Sequence, residues 1–379
     1  MPPSPSSAHP LPSTRTQNDD EPDLPLLILQ GRHKEAIYRC HTHPHEVSYD
    51  YFIRGRDVTY QHGCTMMHYI LSDAILTDQI DEVLYRMIQT MLDVDPNLPS
   101  RKAFSYDDRI LSSTNNDKAA AKKTKTIPTD STPLQIVVFE LFGCVLINAL
   151  SPQNKYLAKI LILMLKTNPD AAAVYNKYGL LPLHIALSNC KHGSSLIRSK
   201  SKRKRFQKCF KWILKAHPQA CMQPTKDEQC CLPLHYLCMH GAVFDEASRF
   251  VAEELLRIHP AAAREVTKEG SSALGYLCEN ITMNRPDDYE RGRCVTVDPN
   301  VFRMILEASP SRMILLGNDN DNDSDTVAPL DVLWKWCEDD DDATNSSARR
   351  LNGPYLAIRE MVVFHLLQSS CPHQLRLLL

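Results

Sequence analysis

The sequence is poor in glycine: only 12 of its 379 residues are Gly, about 3% against a usual ~7%. That scarcity argues against glycine-rich phosphate loops and turn-dense all-β folds. Neither GxGxxG nor GxxxxGK(S/T) occurs, so the two common nucleotide cradles are missing and no cofactor is expected. No charge sign dominates, since 43 Lys and Arg meet 45 Asp and Glu for a formal net charge of −2. No global field therefore draws the chain to nucleic acid or to an anionic membrane, although local patches still can. Long hydrophobic runs are missing too. The longest, Leu134 to Leu150, is interrupted by Gln135 and Glu140 and is too short to span a bilayer. No useful segment alternates with period two. The first 23 residues carry no basic n-region and no apolar h-region, so no secretory signal is expected. The 13 cysteines are odd in number, scattered and without a CxxC pair. They are expected to be free thiols packed as small hydrophobes in a reduced, intracellular chain. The N-x-S/T triplets at Asn280, Asn322 and Asn345 are then chance matches. No GxSxG, HExxH or kinase signature is present, so no catalytic residue is assigned and no enzyme is expected.

What is present is an ordinary globular balance, 43% apolar and 23% charged, and a recurring phrase. Residues 1–23 are Pro/Ser/Asp-rich and are expected to be disordered. From Leu24 the apolar spacing becomes helical. Thr132-Pro133-Leu134-Gln135, Leu181-Pro182-Leu183-His184 and Leu232-Pro233-Leu234-His235 repeat one motif. Weaker copies begin at Thr65 (with His68), at Ser272 (with Leu274) and at Ala328 (with Pro329 and Leu330). After each comes a leucine-rich helical run ending near a proline, as in ILMLKTNPDAA (162–172), WILKAHPQA (212–220) and ELLRIHPAAA (254–263).

The distances separate a fixed link from a variable one. From Pro169, Pro218 and Pro260 the next opening phrase lies 13, 15 and 13 residues on, at Pro182, Pro233 and Ala273. From opening to closing position the gap ranges from 27 (Pro233 to Pro260) to 37 (Ala273 to Pro310). The unit is therefore an opening helix, a variable loop, a second helix and a fixed connector. Thr65, Thr132 and Ser272 can cap the opening helices, and Pro at the first helical position costs no hydrogen bond. Leu181 and Leu232 cannot cap, so those helix starts must be satisfied in another way. Gly63, Gly179 and Gly270 sit three residues before the proline slot, where a tight turn needs positive φ. The other copies place Asp130, Cys230 and Thr326 there.

These features resemble the ankyrin repeat, whose phrase is G-x-T-P-L-H-x-A. The best copy is Gly179-Leu180-Leu181-Pro182-Leu183-His184-Ile185-Ala186. The resemblance covers about residues 24–379, as roughly six degenerate repeats after a leading helix. Successive motifs lie 40 to 67 residues apart, against ~33 in the ordinary ankyrin unit. Insertions near 101–131, 192–205, 280–298, 317–326 and 337–352 account for the excess. The implied fold is an all-α solenoid of helix pairs; TPR or HEAT pairs are the alternative, but those place no Pro-Leu-His start after a fixed connector. The resemblance implies that His68, His184 and His235 hold connectors rather than form one active site.

Other clusters have bland readings beside sharp ones. Cys221, Cys230, Cys231, His235, Cys238 and His240 could suggest zinc, but Cys231, His235 and Cys238 at i, i+4, i+7 equally form a packing face, so no metal site is assigned. His41, His43 and His45 read as a solvated turn. Asn318 to Asp325 fails as a calcium loop, because a start at Asp319 puts Ser324 and Leu330 where Gly and Glu are needed. Asp339 to Asp342 reads as a solvated loop. The basic run Arg198, Lys200, Lys202, Arg203, Lys204, Arg205 is expected in an exposed insertion, as a nuclear-import signal, a polyanion patch, a solubilising loop or the basic start of a helix. Lys118, Lys122, Lys123 and Lys125 form a looser cluster.

The resemblance implies a non-catalytic scaffold that presents a long concave surface to an unidentified protein or peptide. The chain is expected to be monomeric and cytoplasmic, with no membrane role and with nucleic acid disfavoured. Contact residues are expected at the connector tips: Tyr175, Asn176 and Lys177; Thr225, Lys226 and Asp227; Thr267, Lys268 and Glu269. Their mixed charge suits a protein partner, although tip residues are also polar simply because they are exposed. The alternative function is a nuclear regulatory or adaptor protein using residues 198–205 for import or polyanion binding.

Overall fold

The computed structural model describes residues 22–48, 50–52, 62–76, 80–102, 104–105, 131–144, 154–189, 200–240, 246–283, 299–309, 358 and 360–362. These residues are predominantly helical. The N-terminal tail before Pro22, the cluster at Lys118 to Lys125, both acidic runs and the motif at Pro329 and Leu330 lie outside them.

Two sets of helices alternate along the chain. The opening set is α4 (Met66–Leu76), α6 (Pro133–Cys144), α8 (Pro182–Asn189), α10 (Pro233–His240) and α12 (Ala273–Met283). The second set is α2 (His33–Thr42), α5 (Glu82–Val94), α7 (Asn154–Thr167), α9 (Lys200–Ala216), α11 (Glu246–Ile258) and α13 (Pro299–Ala308). Each member of a set packs on the next member of the same set, and each opening helix packs on the second helix that follows it. Two short helices, α1 (Leu24–Leu29) and α3 (Pro44–Ser48), flank α2. There the buried Glu46 carboxylate accepts the Leu24 amide at 2.8 Å and pairs with Arg39 at 2.7 Å. Burial alone would raise the Glu46 carboxyl; Arg39 and the Leu24 amide hold it below the usual range instead.

The second helices follow from amphipathic spacing. In α5 the buried residues Leu84, Met87, Ile88, Met91 and Leu92 fall at i, i+3, i+4, i+7 and i+8, and the Asp81 side chain caps the Leu84 amide at 2.9 Å. A proline ends each of these helices. Proline forbids the α conformation to its predecessor. Asp95, Asn168, His217 and His259 accordingly hold φ of −133°, −137°, −145° and −134° with ψ of 95°, 89°, 78° and 78°. After three of these prolines the chain turns once as a 3-10 helix, over Pro169–Ala173, Pro218–Met222 and Pro260–Ala263. Ala171, Ala172, Ala220, Cys221, Ala262 and Ala263 are buried in those turns, where small side chains let the backbone approach the core. Between the rows an aromatic seam runs from Phe142 to Phe206 (5.2 Å between ring centres), to Phe210 (6.2 Å) and to Phe250 (6.2 Å).

One element was not anticipated. A small antiparallel sheet joins β1 (Asp50–Phe52), β2 (His62–Thr65) and β3 (Phe104–Ser105), with Asp50 opposite Thr65, Phe52 opposite Gly63, and Gly63 opposite Phe104. Strands of two to four residues are too short to display a period-two pattern. The expected insertion at 280–298 also begins later than its sequence suggests, since residues 280–283 continue α12.

The glycine slot takes a tight turn in two of its three glycine copies; Gly63 lies instead in the extended strand β2, opposite Phe52. Gly179 and Gly270 have φ of 72° and 84°, and Cys230, which replaces glycine in the intervening copy, has φ of 55°. A Cβ on Gly179 would lie 2.8 Å from the Lys226 backbone. Cys230→Gly is therefore expected to stabilise the chain by about 1 kcal/mol, the usual cost of a left-handed non-glycine residue. Gly179→Ala is expected to destabilise it by about 2 kcal/mol or more, combining strain with the clash. Urea unfolding of the two variants checks both; a destabilised Cys230→Gly would contradict the strain argument.

Candidate functional site

Four of the five described opening helices start with a backbone amide that a side chain three residues on accepts; in α12 the residue at that place is Gly275, and Ser272 Oγ caps its amide at 3.0 Å instead. His184 Nδ1 takes the Leu181 amide at 3.2 Å, His235 Nδ1 takes that of Leu232 at 3.1 Å, and His68 Nδ1 takes that of Thr65 at 3.2 Å. This answers how the uncapped starts at Leu181 and Leu232 are satisfied. Because Nδ1 accepts, Nε2 carries the proton and can donate forward. His68 Nε2 reaches the Ser131 carbonyl at 3.0 Å, and His235 Nε2 reaches that of Glu265 at 3.0 Å. Among the described residues no hydrogen-bond partner of good geometry meets His184 Nε2.

In the copy that carries glutamine in place of histidine, Gln135 performs the same task. Its Oε1 accepts the Thr132 amide at 2.8 Å, Thr132 Oγ1 accepts the Gln135 amide at 3.2 Å, and its Nε2 donates to the Val174 carbonyl at 2.7 Å. The reciprocal pair is a capping box. Sequence reading missed Gln135, although its position three residues after Thr132 was the available signal.

The connectors are closed by a second set of side chains. Asn176, Thr225 and Thr267 each lie seven residues after a closing proline. Their backbone amides donate to the carbonyls of Leu180, Cys231 and Ser271 at 3.0, 2.9 and 2.9 Å. Their side-chain oxygens accept the amides of the same three residues at 2.9, 2.9 and 3.2 Å. The two extra residues of the middle connector are absorbed by Asp227, whose carboxylate accepts from Thr225 Oγ1 and from the amides of Gln229 and Cys230. Neighbouring connectors are then joined through the backbone. The Lys226 amide donates to Gly179 O at 2.9 Å, and the Lys268 amide donates to Gln229 O at 3.0 Å.

This geometry divides the nine candidate contact residues. Asn176, Thr225 and Thr267 are buried and occupied in closing the turns, which corrects their assignment as exposed tips. Lys177, Lys226, Lys268 and Glu269 are exposed, while Tyr175 and Asp227 are half-buried. The Tyr175 hydroxyl donates to Pro224 O at 3.2 Å, and Lys226 Nζ lies 4.1 Å from its ring centre. Two apolar side chains join this row, Tyr178 at 57% exposed and Met222 at 51%.

The other clusters resolve as follows. His235 and Cys238 are buried on α10 and Cys231 is buried two residues before it, and among the described residues no group of three or more His, Cys, Asp or Glu side chains is placed to hold a metal ion. Burial pushes the Cys231 thiol up to about 11 and those of Cys40, Cys209 and Cys221 up to about 12, so they are poor nucleophiles. His41 and His45 are exposed and His43 is half-buried, with the His43 and His45 rings 5.9 Å apart. The basic run is not in an exposed insertion. Lys200, Lys202, Arg203, Lys204 and Arg205 form the first turns of α9, because Phe206, Phe210, Ile213 and Leu214 give that segment a buried helical face. Arg198 lies outside the described residues. No described helix is long and apolar enough to cross a membrane. The chain matches no protein family, and no curated protein is similar to it.

The clasp makes stability depend on pH. Burial lowers His68 to about 4, against the opposing backbones of Ser131 and Arg101, and lowers His184 to about 4, against Asp227 and the Cys231 backbone. Their unfolded value is 6.5. The unfolded chain therefore takes up these protons first, so stability is full above pH 6.5 and is lost as pH falls toward 4. Each residue contributes a loss of about 1.4 kcal/mol per pH unit within that window. His184→Gln, which copies Gln135, is expected to fold and to remove about one proton from the pH dependence between 6.5 and 5. Urea midpoints at three pH values measure it; an unchanged slope would rule out His184 as a titrating clasp.

Proposed function

We propose that the chain is a degenerate ankyrin-type solenoid acting as a non-catalytic, intracellular scaffold that binds a protein partner along its connector row. The observation that carries this reading is the pair of backbone bonds from Lys226 to Gly179 and from Lys268 to Gln229. They hold three connectors in register and turn Lys177, Lys226, Lys268 and Glu269 outward as one surface. The two sets of helices, each packing in sequence, support stacking of supersecondary units that share a continuous core. The buried histidines support a structural role, since each accepts a helix-start amide instead of facing a cleft. Tyr175 and Tyr178 add the aromatic area that protein interfaces favour, beside lysines that set orientation.

Quantitative affinity capture with Lys177→Glu, Lys226→Glu and Lys268→Glu combined tests the reading. Specific partners of the parent chain are expected to be lost while the helical circular dichroism spectrum is unchanged. Retention of the same partners at the same occupancy would count against the connector row as the contact surface.

A further inference from the structure

The two sides of α9 differ sharply in character. Phe206, Cys209, Phe210, Ile213 and Leu214 turn one side into the core. Outward it presents Lys204, Lys208, Lys211 and Lys215, with Gln207 and Trp212, as the lining of an open groove of about 340 Å³. The lysines fall at i, i+4, i+7 and i+11, which confines them to about 60° of the helix circumference and spreads them over about 16 Å of its length. Among the described residues no carboxylate pairs with Lys204, Lys208 or Lys215. Lys211 is held by Glu254 at 3.7 Å and lies 5.1 Å from the Phe250 ring centre. Trp212 is flanked by Lys215 at 5.0 Å and by Lys166 of α7 at 5.5 Å. Lys166 of α7 thus adds positive charge to the same side, while Glu254 of α11 offsets Lys211.

We propose that this face docks an acidic α-helical segment of a protein partner. Charge complementarity selects an acidic occupant, because the groove lining holds four lysines and no carboxylate. The spacing selects a helix. Alternating steps of four and three residues are the seam spacing of a two-helix contact, so a partner helix with Glu or Asp at i, i+4, i+7 and i+11 meets each lysine in turn. The same features disfavour nucleic acid. The lining holds a single aromatic ring, Trp212, which two lysine ammonium groups already approach at 5.5 and 5.0 Å, and it contains no arginine fork for a phosphate or a base edge. The surface is separate from the connector row, so either can fail without the other.

Fluorescence anisotropy on the full chain tests the proposal with three probes. The first is a labelled helical peptide carrying Glu at i, i+4, i+7 and i+11; the second has the same composition with the glutamates spread around the helix; the third is an RNA duplex. The in-register peptide is expected to bind best, to weaken as salt rises, and to lose about tenfold or more in affinity with Lys204→Glu, Lys208→Glu and Lys215→Glu combined. The three connector-tip substitutions are expected to leave that binding unchanged. Lys→Gln at the same three sites repeats the test should charge reversal lower the melting temperature. Equal binding of the spread peptide, tighter binding of the RNA, no peptide binding, or indifference to the α9 substitutions would each overturn the proposal.

Discussion

Four of the five described opening helices begin with an amide that a buried side chain three residues on accepts, and much of the architecture is arranged around that acceptor. A neutral imidazole suits the position because one ring nitrogen accepts while the other donates across to the next connector. His68 and His235 do both, tying their own helix start to Ser131 and Glu265, 63 and 30 residues further on. The bond is local at one end and long-range at the other, so it sets the distance between consecutive units as well as the start of a helix. Protonation would place a hydrogen on the accepting nitrogen, facing an amide hydrogen, which is why burial and the helix start act in the same direction on these side chains.

The connectors are rigid for a related reason. Their length is set by two events: the forced extension of the residue before proline, and a turn that requires positive φ. Between them an Asn or Thr seven residues after the proline closes the loop with its backbone and its side chain together. Once adjacent loops share a backbone bond, a change of length in one displaces its neighbours. The middle connector is two residues longer, and its extra chain is folded onto the Asp227 carboxylate while Cys230 takes the strained turn position. Inside the helix pairs the chain varies in length from copy to copy.

Helix starts, proline stops and the connector spacing were all legible from sequence, because each depends on residues a few positions apart. The Thr-Pro-Leu-Gln, Leu-Pro-Leu-His and His-Pro phrases encode local geometry directly. What escaped detection depends on contacts across units. The place of Gln135 three residues after Thr132 marks a cap, but its bond across to Val174 is visible only in the fold. Asn176, Thr225 and Thr267 look like polar tips until their side chains are found closing turns. The three strands are too short for any periodicity. The basic run from Lys200 was assigned to an insertion because its first residues are uniformly charged, whereas its conformation is decided further on, where Phe206 and Phe210 commit the segment to a buried helical face.

That last case bears on how a chain with almost balanced charge acquires a directional surface. The net charge of −2 is an average over the whole sequence. α9 has no acidic residue in its first turn, and its cations oppose the helix dipole there. Such a helix is intrinsically poor, and packing must overcome its charge. The aromatic seam supplies that packing, since Phe206 and Phe210 contact Phe142 on one side and Phe250 on the other. The ammonium groups of Lys166 and Lys215 lie over the Trp212 ring and that of Lys211 over the Phe250 ring, contacts that offset part of the repulsion among them. The core thus stabilises a charge pattern that an isolated peptide of the same sequence would not hold as a helix, and an acidic partner would relieve the same repulsion from outside.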